Sequence, residues 1–106
     1  MRPDQHQLEE LVRRIVEAVH PLRIILFGSA ARGEMGRDSD VDVMVVMPEG
    51  THRRHTGQFI YTQLWGIPFA VDVIVATESD LRRYADDIGF VYHRVLREGR
   101  QLYAAA

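Results

Sequence analysis

Two aspartates, Asp40 and Asp42, stand two positions apart at the start of the apolar run 43–46. Side chains alternate along an extended strand, so both carboxylates are expected on one face, about 7 Å apart along the chain. Like charges at that separation repel, and burying them is unfavourable unless a cation lies between them. Mg²⁺ suits the position because it takes oxygen ligands and is commonly shared with substrate phosphates. The pair therefore predicts a magnesium site.

A Gly-Ser pair, Gly28-Ser29, follows the apolar run 24–27 and precedes the two aspartates. Glycine lets backbone N–H groups approach an anion closely, and the serine hydroxyl adds another donor. The residues from Ser29 to Arg32 predict the start of a short helix whose positive end faces this turn. Alone, the pair is more typical of an ordinary strand-to-helix turn than of a phosphate site, and Arg32 could bind either a phosphate or a loop carboxylate. Next to the aspartates, it predicts a phosphate site.

A third carboxylate, Asp72, interrupts the apolar run 71–75. A buried strand seldom carries an unpaired aspartate because removing its charge from water is costly. If this strand lies beside the one that carries Asp42, Asp72 completes a triad around one or two Mg²⁺ ions. Such a triad supports phosphoryl or nucleotidyl transfer, with Asp72 holding the ion that activates the acceptor and taking the acceptor's proton. The alternative is an edge-strand aspartate that merely faces water.

The apolar periodicity predicts a single domain over residues 1–106 with helices and strands in the order α-β-α-β-α-β-α. We expect an α/β (α+β) fold in which a small mixed sheet of three or more strands is flanked by helices. The predicted elements are a helix from Asp4 to near Pro21, strand Arg23–Phe27, a short helix Ser29–Arg32, loop Gly33–Ser39, strand Val41–Met47, a helix from Thr51 to about Trp65, strand Phe69–Ala76, and a helix capped by Thr77 and Asp80 that runs to about Glu98.

Further predictions concern the C-terminal segment and the aromatic and basic residues of the third predicted helix. Gly99 fits a helix C-cap, and Leu102-Tyr103 is expected to dock as a short tail. The aromatic side chains of the third helix are expected in the core: Phe59, Tyr61 and Trp65. The basic cluster 52–55 is expected to be a solvated helix end, with contact to phosphates or to an acidic partner as the alternative.

Composition excludes several classes of protein. The chain has 106 residues, a net charge of −2, no cysteine and no lysine, so all 13 of its basic residues are arginines. Cysteine chemistry and a lysine phosphate clamp are therefore absent, and a surface that holds long nucleic acid is not expected. No apolar run reaches membrane-spanning length and no signal peptide is evident, so a cytoplasmic protein is expected.

The segment 27–33, Phe-Gly-Ser-Ala-Ala-Arg-Gly, followed by Asp-Ser-Asp-Val-Asp at 38–42, resembles the nucleotidyltransferase signature. With the Arg-Glu-Gly at 97–99 and Leu102-Tyr103, the chain is similar over nearly its whole length to the minimal nucleotidyltransferases of prokaryotes. The resemblance implies a polymerase-β-like core that uses Mg²⁺ and ATP. It also implies that Gly28 and Ser29 hold the triphosphate and that Asp40, Asp42 and Asp72 hold the metals.

Many members of that family are antitoxins, encoded beside a HEPN-domain toxin, and add AMP to a tyrosine of the toxin. The resemblance therefore implies a HEPN-domain partner. The oligomeric state stays open between a homo-oligomer and a hetero-oligomer. Two other functions stay open: neutralisation of the partner by occlusion without turnover, and nucleotidyl transfer to a small molecule. The chain departs from the family pattern at Ala30, where relatives carry arginine, and at Arg37, which is displaced by one position; these changes bear on nucleotide affinity or choice.

Overall fold

The computed structural model describes residues 4–28, 31, 41–84 and 91–106. Within them, a four-stranded mixed sheet lies between helices on its two faces. The elements are α1 (Gln5–Val19), β1 (Arg23–Phe27), β2 (Val41–Met47), α2 (Arg53–Thr62), β3 (Val71–Thr77), α3 (Glu78–Tyr84), α4 (Val91–Glu98) and β4 (Arg100–Ala104). The predicted fold class is confirmed.

The strand order is β3-β2-β1-β4. Strand β1 pairs antiparallel with both β2 and β4, whereas β2 and β3 are parallel and are joined through α2. The parallel pairing requires this crossover, because a tight hairpin can join only antiparallel strands. The two strands that carry the predicted carboxylates are therefore neighbours.

Alternation along β2 divides the apolar residues between two cores. Val41, Val43 and Val45 face α1 and α2, while Met44 and Val46 face α3 and α4. All five of these side chains have no solvent-exposed surface. A strand covered on both faces is expected to be apolar at nearly every position, and this explains the unbroken run 43–46.

The first helix begins and ends as its sequence predicts. The Asp4 carboxylate accepts the Gln7 N–H at 2.8 Å, and the Gln7 side chain accepts the Asp4 N–H at 2.9 Å, which forms a capping box. The helix ends at Val19, where His20 takes a left-handed φ of 49° before Pro21. Strands β1 and β2 also have the predicted bounds.

Two predicted elements have different bounds in the structure. Helix α2 is capped by His52, whose Nδ1 accepts the His55 N–H, and ends at Thr62 rather than near Trp65. The predicted strand 69–76 is observed at Val71–Thr77. The last predicted helix is helical over 78–84 and 91–98, and residues 85–90 lie outside the described part of the chain, as do the predicted loop 33–39 and most of the short helix 29–32.

The predicted C-terminal tail is a strand. Residues Arg100–Ala104 form β4, which adds to the edge of β1, and Leu102 and Tyr103 pack against the core beneath α1. Gly99 ends α4 as predicted, and a Cβ there would lie 2.5 Å from the Ile25 side chain. The chain can therefore turn close above β1 and pair with it. Among the described residues, every helix is too short or too polar to cross a lipid bilayer.

Candidate active site

Asp42 and Asp72 are direct neighbours across the parallel pair β2–β3. The register matches Asp42 with Asp72, between the matched pairs Val41–Val71 and Val43–Val73. Neighbouring strands lie about 4.8 Å apart, and residues in register in a parallel pair project to the same face. Both carboxylates therefore belong to the face that α3 and α4 cover, near the N-terminal ends of their strands.

Gly28 lies against the carboxylate of Asp42. Phe27, the last residue of β1, pairs with Asp42, so the next residue is brought to the end of β2. A Cβ on Gly28 would lie 2.5 Å from Asp42 Oδ2, and its φ of +72° is in the left-handed region that disfavours other residues. Both the backbone conformation and the space require glycine. The end of β1 and the start of β2 are therefore closely packed at Gly28 and Asp42.

Asp72 fits both of the roles predicted for it, the water-facing edge-strand aspartate and the member of a carboxylate triad. It is exposed and lies on β3, which forms an edge of the sheet, as the water-facing alternative expects. It is also in register with Asp42, as the triad expects. An exposed position is compatible with a site that receives substrate, and the register provides the second carboxylate that a shared cation needs.

The chemistry of this donor set fits magnesium. Two hard oxygen donors project from adjacent strands, and the contact with Gly28 leaves no room for a side chain between Asp42 and the turn. Their mutual repulsion is the kind of energy that a divalent cation offsets. Within residues 4–28, 31, 41–84 and 91–106, no three metal-ligating side chains form a cluster. The third predicted ligand, Asp40, lies outside those residues.

Several predicted site residues fall outside the described part of the chain. These are Ser29, Arg32 and Asp40, together with the two positions that depart from the family pattern, Ala30 and Arg37. Of the predicted site residues, the structure brings together Gly28, Asp42 and Asp72. The metal-binding, nucleotide-binding and catalytic roles of all of these residues remain predictions.

Tyr61 is a site neighbour that the sequence interpretation missed. Its hydroxyl accepts the Val73 N–H at 2.8 Å and lies 3.4 Å from Asp72 Oδ1, to which it can donate. The prediction that Tyr61 belongs to the core is wrong, since 47% of its surface is exposed. The available signal was its helical offset of one residue from Ile60, which is fully buried, since adjacent helical positions point in different directions.

Phe59 and Trp65 were also expected in the core, and this prediction is wrong as well. Phe59 is 47% exposed and Trp65 is 88% exposed. Helix α2 ends at Thr62, so Trp65 does not continue the helical face of Ile60. Arg14 on α1 binds the main-chain oxygens of Gln63 and Trp65, which fixes this turn while the indole remains outside.

The basic cluster 52–55 has the features of a solvated helix end. All four side chains are exposed, and the rings of His52 and His55 stack with their centroids 3.8 Å apart. Arg53 forms an ion pair with Asp80 at 2.6 Å. The cluster follows the C-terminal end of β2, whereas Asp42 lies near the other end of that strand.

The family model of the nucleotidyltransferase domain matches residues 7–102. A solved candidate nucleotidyltransferase from Sulfolobus solfataricus is similar, with 20% identity and a TM-score of 0.63, over 93% of this chain and 78% of that one. A toxin-antitoxin structure with AMP-PNP shares 23% identity and has a TM-score of 0.57, over 97% of this chain and 75% of that one. A variant of the toxin-antitoxin pair MntA-HpeT, with two Asp-to-Glu substitutions, shares 21% identity at a TM-score of 0.59, with coverage of 97% and 75%.

At these identities, the likeness to solved structures shows a common fold. No curated protein matches the chain. The family match spans nearly all of the sequence, including the turn after β1 and the paired aspartates of β2 and β3. The chain therefore belongs to the nucleotidyltransferase domain family, and its enzyme class is nucleotidyltransferase.

Proposed function

We propose that the chain transfers AMP from ATP to a tyrosine hydroxyl of a partner HEPN-domain toxin, and so acts as its antitoxin. One observation carries the catalytic part: Asp42 and Asp72 stand in register on adjacent strands, with Gly28 against the Asp42 carboxylate. That arrangement, within a nucleotidyltransferase domain, provides ligands for a cation beside a turn suited to phosphates.

The proposals for nucleotide and partner draw support from two of the similar structures. One is a toxin-antitoxin structure with AMP-PNP, and the other is the MntA-HpeT pair. AMP-PNP has the adenosine and triphosphate framework of ATP. The nucleotide, the toxin partner and the tyrosine acceptor are proposed for this chain by similarity to these structures and to the family that its motif resembles.

In the proposed site, Asp40, Asp42 and Asp72 would hold Mg²⁺. Bound magnesium would neutralise charge on the triphosphate and on the departing pyrophosphate. Gly28 keeps the turn close to Asp42, so that the following backbone N–H groups and Ser29 orient the triphosphate, while Arg32 contacts its outer phosphates. In this proposal, the α-phosphorus lies beside the carboxylates near the N-terminal ends of β2 and β3.

Asp72 acts on the acceptor in this proposal. The acceptor oxygen forms a bond to the α-phosphorus, the bond to the β-phosphate oxygen breaks, and pyrophosphate leaves. The hydroxyl proton moves to the Asp72 carboxylate and then to water. An exposed carboxylate on an edge strand is suited to this role, because a hydroxyl carried by another protein can reach it.

The test uses ATP labelled at the α-phosphate, Mg²⁺ and the HEPN-domain protein that we expect to be encoded beside this chain. The expected result is label on one tyrosine of that protein and release of pyrophosphate, both lost in Asp42→Ala. Asp4→Ala serves as a control, because it removes an aspartate from the α1 cap, far along the chain from the site.

Two other outcomes would redirect the assignment. Full neutralisation of the toxin by Asp42→Ala would favour occlusion without turnover. Label that appears only on an added small molecule would favour a small-molecule acceptor.

A further inference from the structure

The hydroxyl of Tyr61 connects the edge of the sheet to a predicted catalytic carboxylate. Tyr61 lies on α2, which packs against the first core, yet its side chain extends to β3. The phenol oxygen accepts the Val73 N–H at 2.8 Å and lies 3.4 Å from Asp72 Oδ1. One side chain therefore contacts both the catalytic position and the strand residue that follows it.

The first of these contacts determines the direction of the second. Because β3 is an edge strand, some of its N–H groups point away from β2, and Tyr61 accepts one of them. The phenol oxygen is thereby held at the level of Val73. Its own O–H then has a carboxylate oxygen within reach, and a hydroxyl proton rotates toward the acceptor that is available.

Asp72 and Asp42 differ in how they are held. Asp42 is partly buried and is confined by the backbone of Gly28. Asp72 is exposed on an edge strand, where a side chain is free to sample several rotamers. The hydrogen bond from the Tyr61 hydroxyl restricts the orientation of the Asp72 side chain, as burial against Gly28 restricts that of Asp42. Metal-binding carboxylates are commonly oriented by such hydrogen bonds from surrounding residues.

We propose that Tyr61 is a positioning residue for the nucleotidyl transfer, because its hydroxyl, anchored on the Val73 N–H, holds the Asp72 carboxylate toward the cation and the acceptor. This inference rests on the proposed function. It assigns a role to a side chain on α2, outside the Gly-Ser turn and the acidic motif.

The test compares Tyr61→Phe with Tyr103→Phe. Both changes remove one phenol hydroxyl and keep the ring, and Tyr103 lies on β4 at the opposite edge of the sheet. Three quantities are measured: Mn²⁺ affinity by electron paramagnetic resonance without nucleotide, kcat and KM for ATP in AMP transfer, and hydrogen exchange of the Val73 amide. All are measured well below the melting temperature, so that a stability change does not affect them.

For Tyr61→Phe we expect Mn²⁺ affinity and kcat to fall about tenfold, the lower end of the range for a residue that orients a metal ligand. The KM for ATP should stay within about twofold, because Asp72 acts on the acceptor side. Exchange of the Val73 amide should accelerate. Tyr103→Phe should match the wild type in each quantity.

Faster exchange at Val73 with unchanged Mn²⁺ affinity and kcat would overturn the proposal, since Tyr61 would then only cap the edge of the sheet. Equal behaviour of the two variants would overturn it as well. A wild-type protein that binds no Mn²⁺ and transfers no AMP would overturn the proposed function and this inference together. Transfer by the wild type with no effect of Tyr61→Phe removes this inference alone.

Discussion

The two ends of the parallel pair β2–β3 carry carboxylates in contrasting surroundings. Near the N-terminal ends, Asp42 and Asp72 lie side by side. Beyond the C-terminal ends, Glu49 and Asp80 are each surrounded by hydrogen-bond donors. The same chemical group is therefore used in two ways within one pair of strands.

At the C-terminal end the donors stabilise both carboxylates. Glu49 accepts the N–H and the hydroxyl of Ser79, each at 2.9 Å, and these bonds lower the pKa of Glu49. Burial raises the pKa of Asp80, but hydrogen bonds from Thr77 and from Arg53 outweigh it and lower that pKa below its ordinary value. These carboxylates connect the start of α3 to the loop after β2 and to α2, and so they stabilise the fold.

At the N-terminal end, Asp42 and Asp72 lie in register on adjacent strands, and Gly28 lies against the Asp42 carboxylate. The hydrogen bond that Asp72 receives from Tyr61 is long, at 3.4 Å. Two carboxylates in register supply oxygen donors of the kind that a divalent cation binds. The carboxylates beyond the C-terminal ends therefore stabilise the fold, whereas those near the N-terminal ends have the arrangement that the proposed function assigns to a shared cation.

The largest expected effect separates Asp42→Asn from Asp80→Asn. Asp42→Asn should reduce AMP transfer by several orders of magnitude while raising the melting temperature in metal-free buffer, because the repulsion with Asp72 is relieved. Asp80→Asn should retain transfer and lose about 1–2 kcal/mol of stability through weakened hydrogen bonds. Thermal unfolding in EDTA and a transfer assay measure both. A lower melting temperature for Asp42→Asn would contradict the picture of a strained carboxylate pair.

An intermediate effect is expected from two glycine substitutions that share one backbone conformation. Gly28→Ala and Gly50→Ala both place alanine at a positive φ, at +72° and +88°, and each should lose about 1–2 kcal/mol of stability. The new Cβ meets Asp42 Oδ2 only in Gly28→Ala, since a Cβ at Gly50 has no heavy atom within 4 Å.

The Asp42 carboxylate must rotate to admit that methyl group. Transfer should therefore fall about 100-fold in Gly28→Ala, the scale of a displaced catalytic group, and stay unchanged in Gly50→Ala. Chemical denaturation and steady-state kinetics provide the two measurements. Equal activity in both variants would show that the contact with Asp42 has no role in catalysis.

The smallest effect concerns acid stability at the C-terminal end. The folded-state pKa of Asp80 lies below its ordinary value of 3.8, so its contribution is complete well above pH 3.8 and is lost as the pH falls through the lowered pKa. The stability difference between wild type and Asp80→Ala should therefore shrink on going from pH 7 toward pH 3. Urea unfolding at a series of pH values measures it. A difference that grows toward acid pH would contradict the assigned direction.

Local patterns predicted the elements that depend on local rules. The bounds of β1 and β2 and the capping box of α1 follow from apolar runs and from a side chain that reaches three residues along the chain. The pairing of β4 with β1 could not be predicted in this way, because its hydrogen bonds join residues far apart in sequence. The position of Tyr61 also depends on how α2 lies across the sheet.

The sequence by itself determined which side chains are available for catalysis: carboxylates in place of cysteine or lysine, a glycine where the turn needs one, and apolar runs that force two strands into the interior. Only the tertiary structure decided that β3 lies parallel to β2 in the register that brings Asp72 beside Asp42, and that the Tyr61 hydroxyl reaches Asp72 from α2. The reason is physical, since residue types and their spacing act locally. A register between strands is selected by the burial of both faces of the sheet at once.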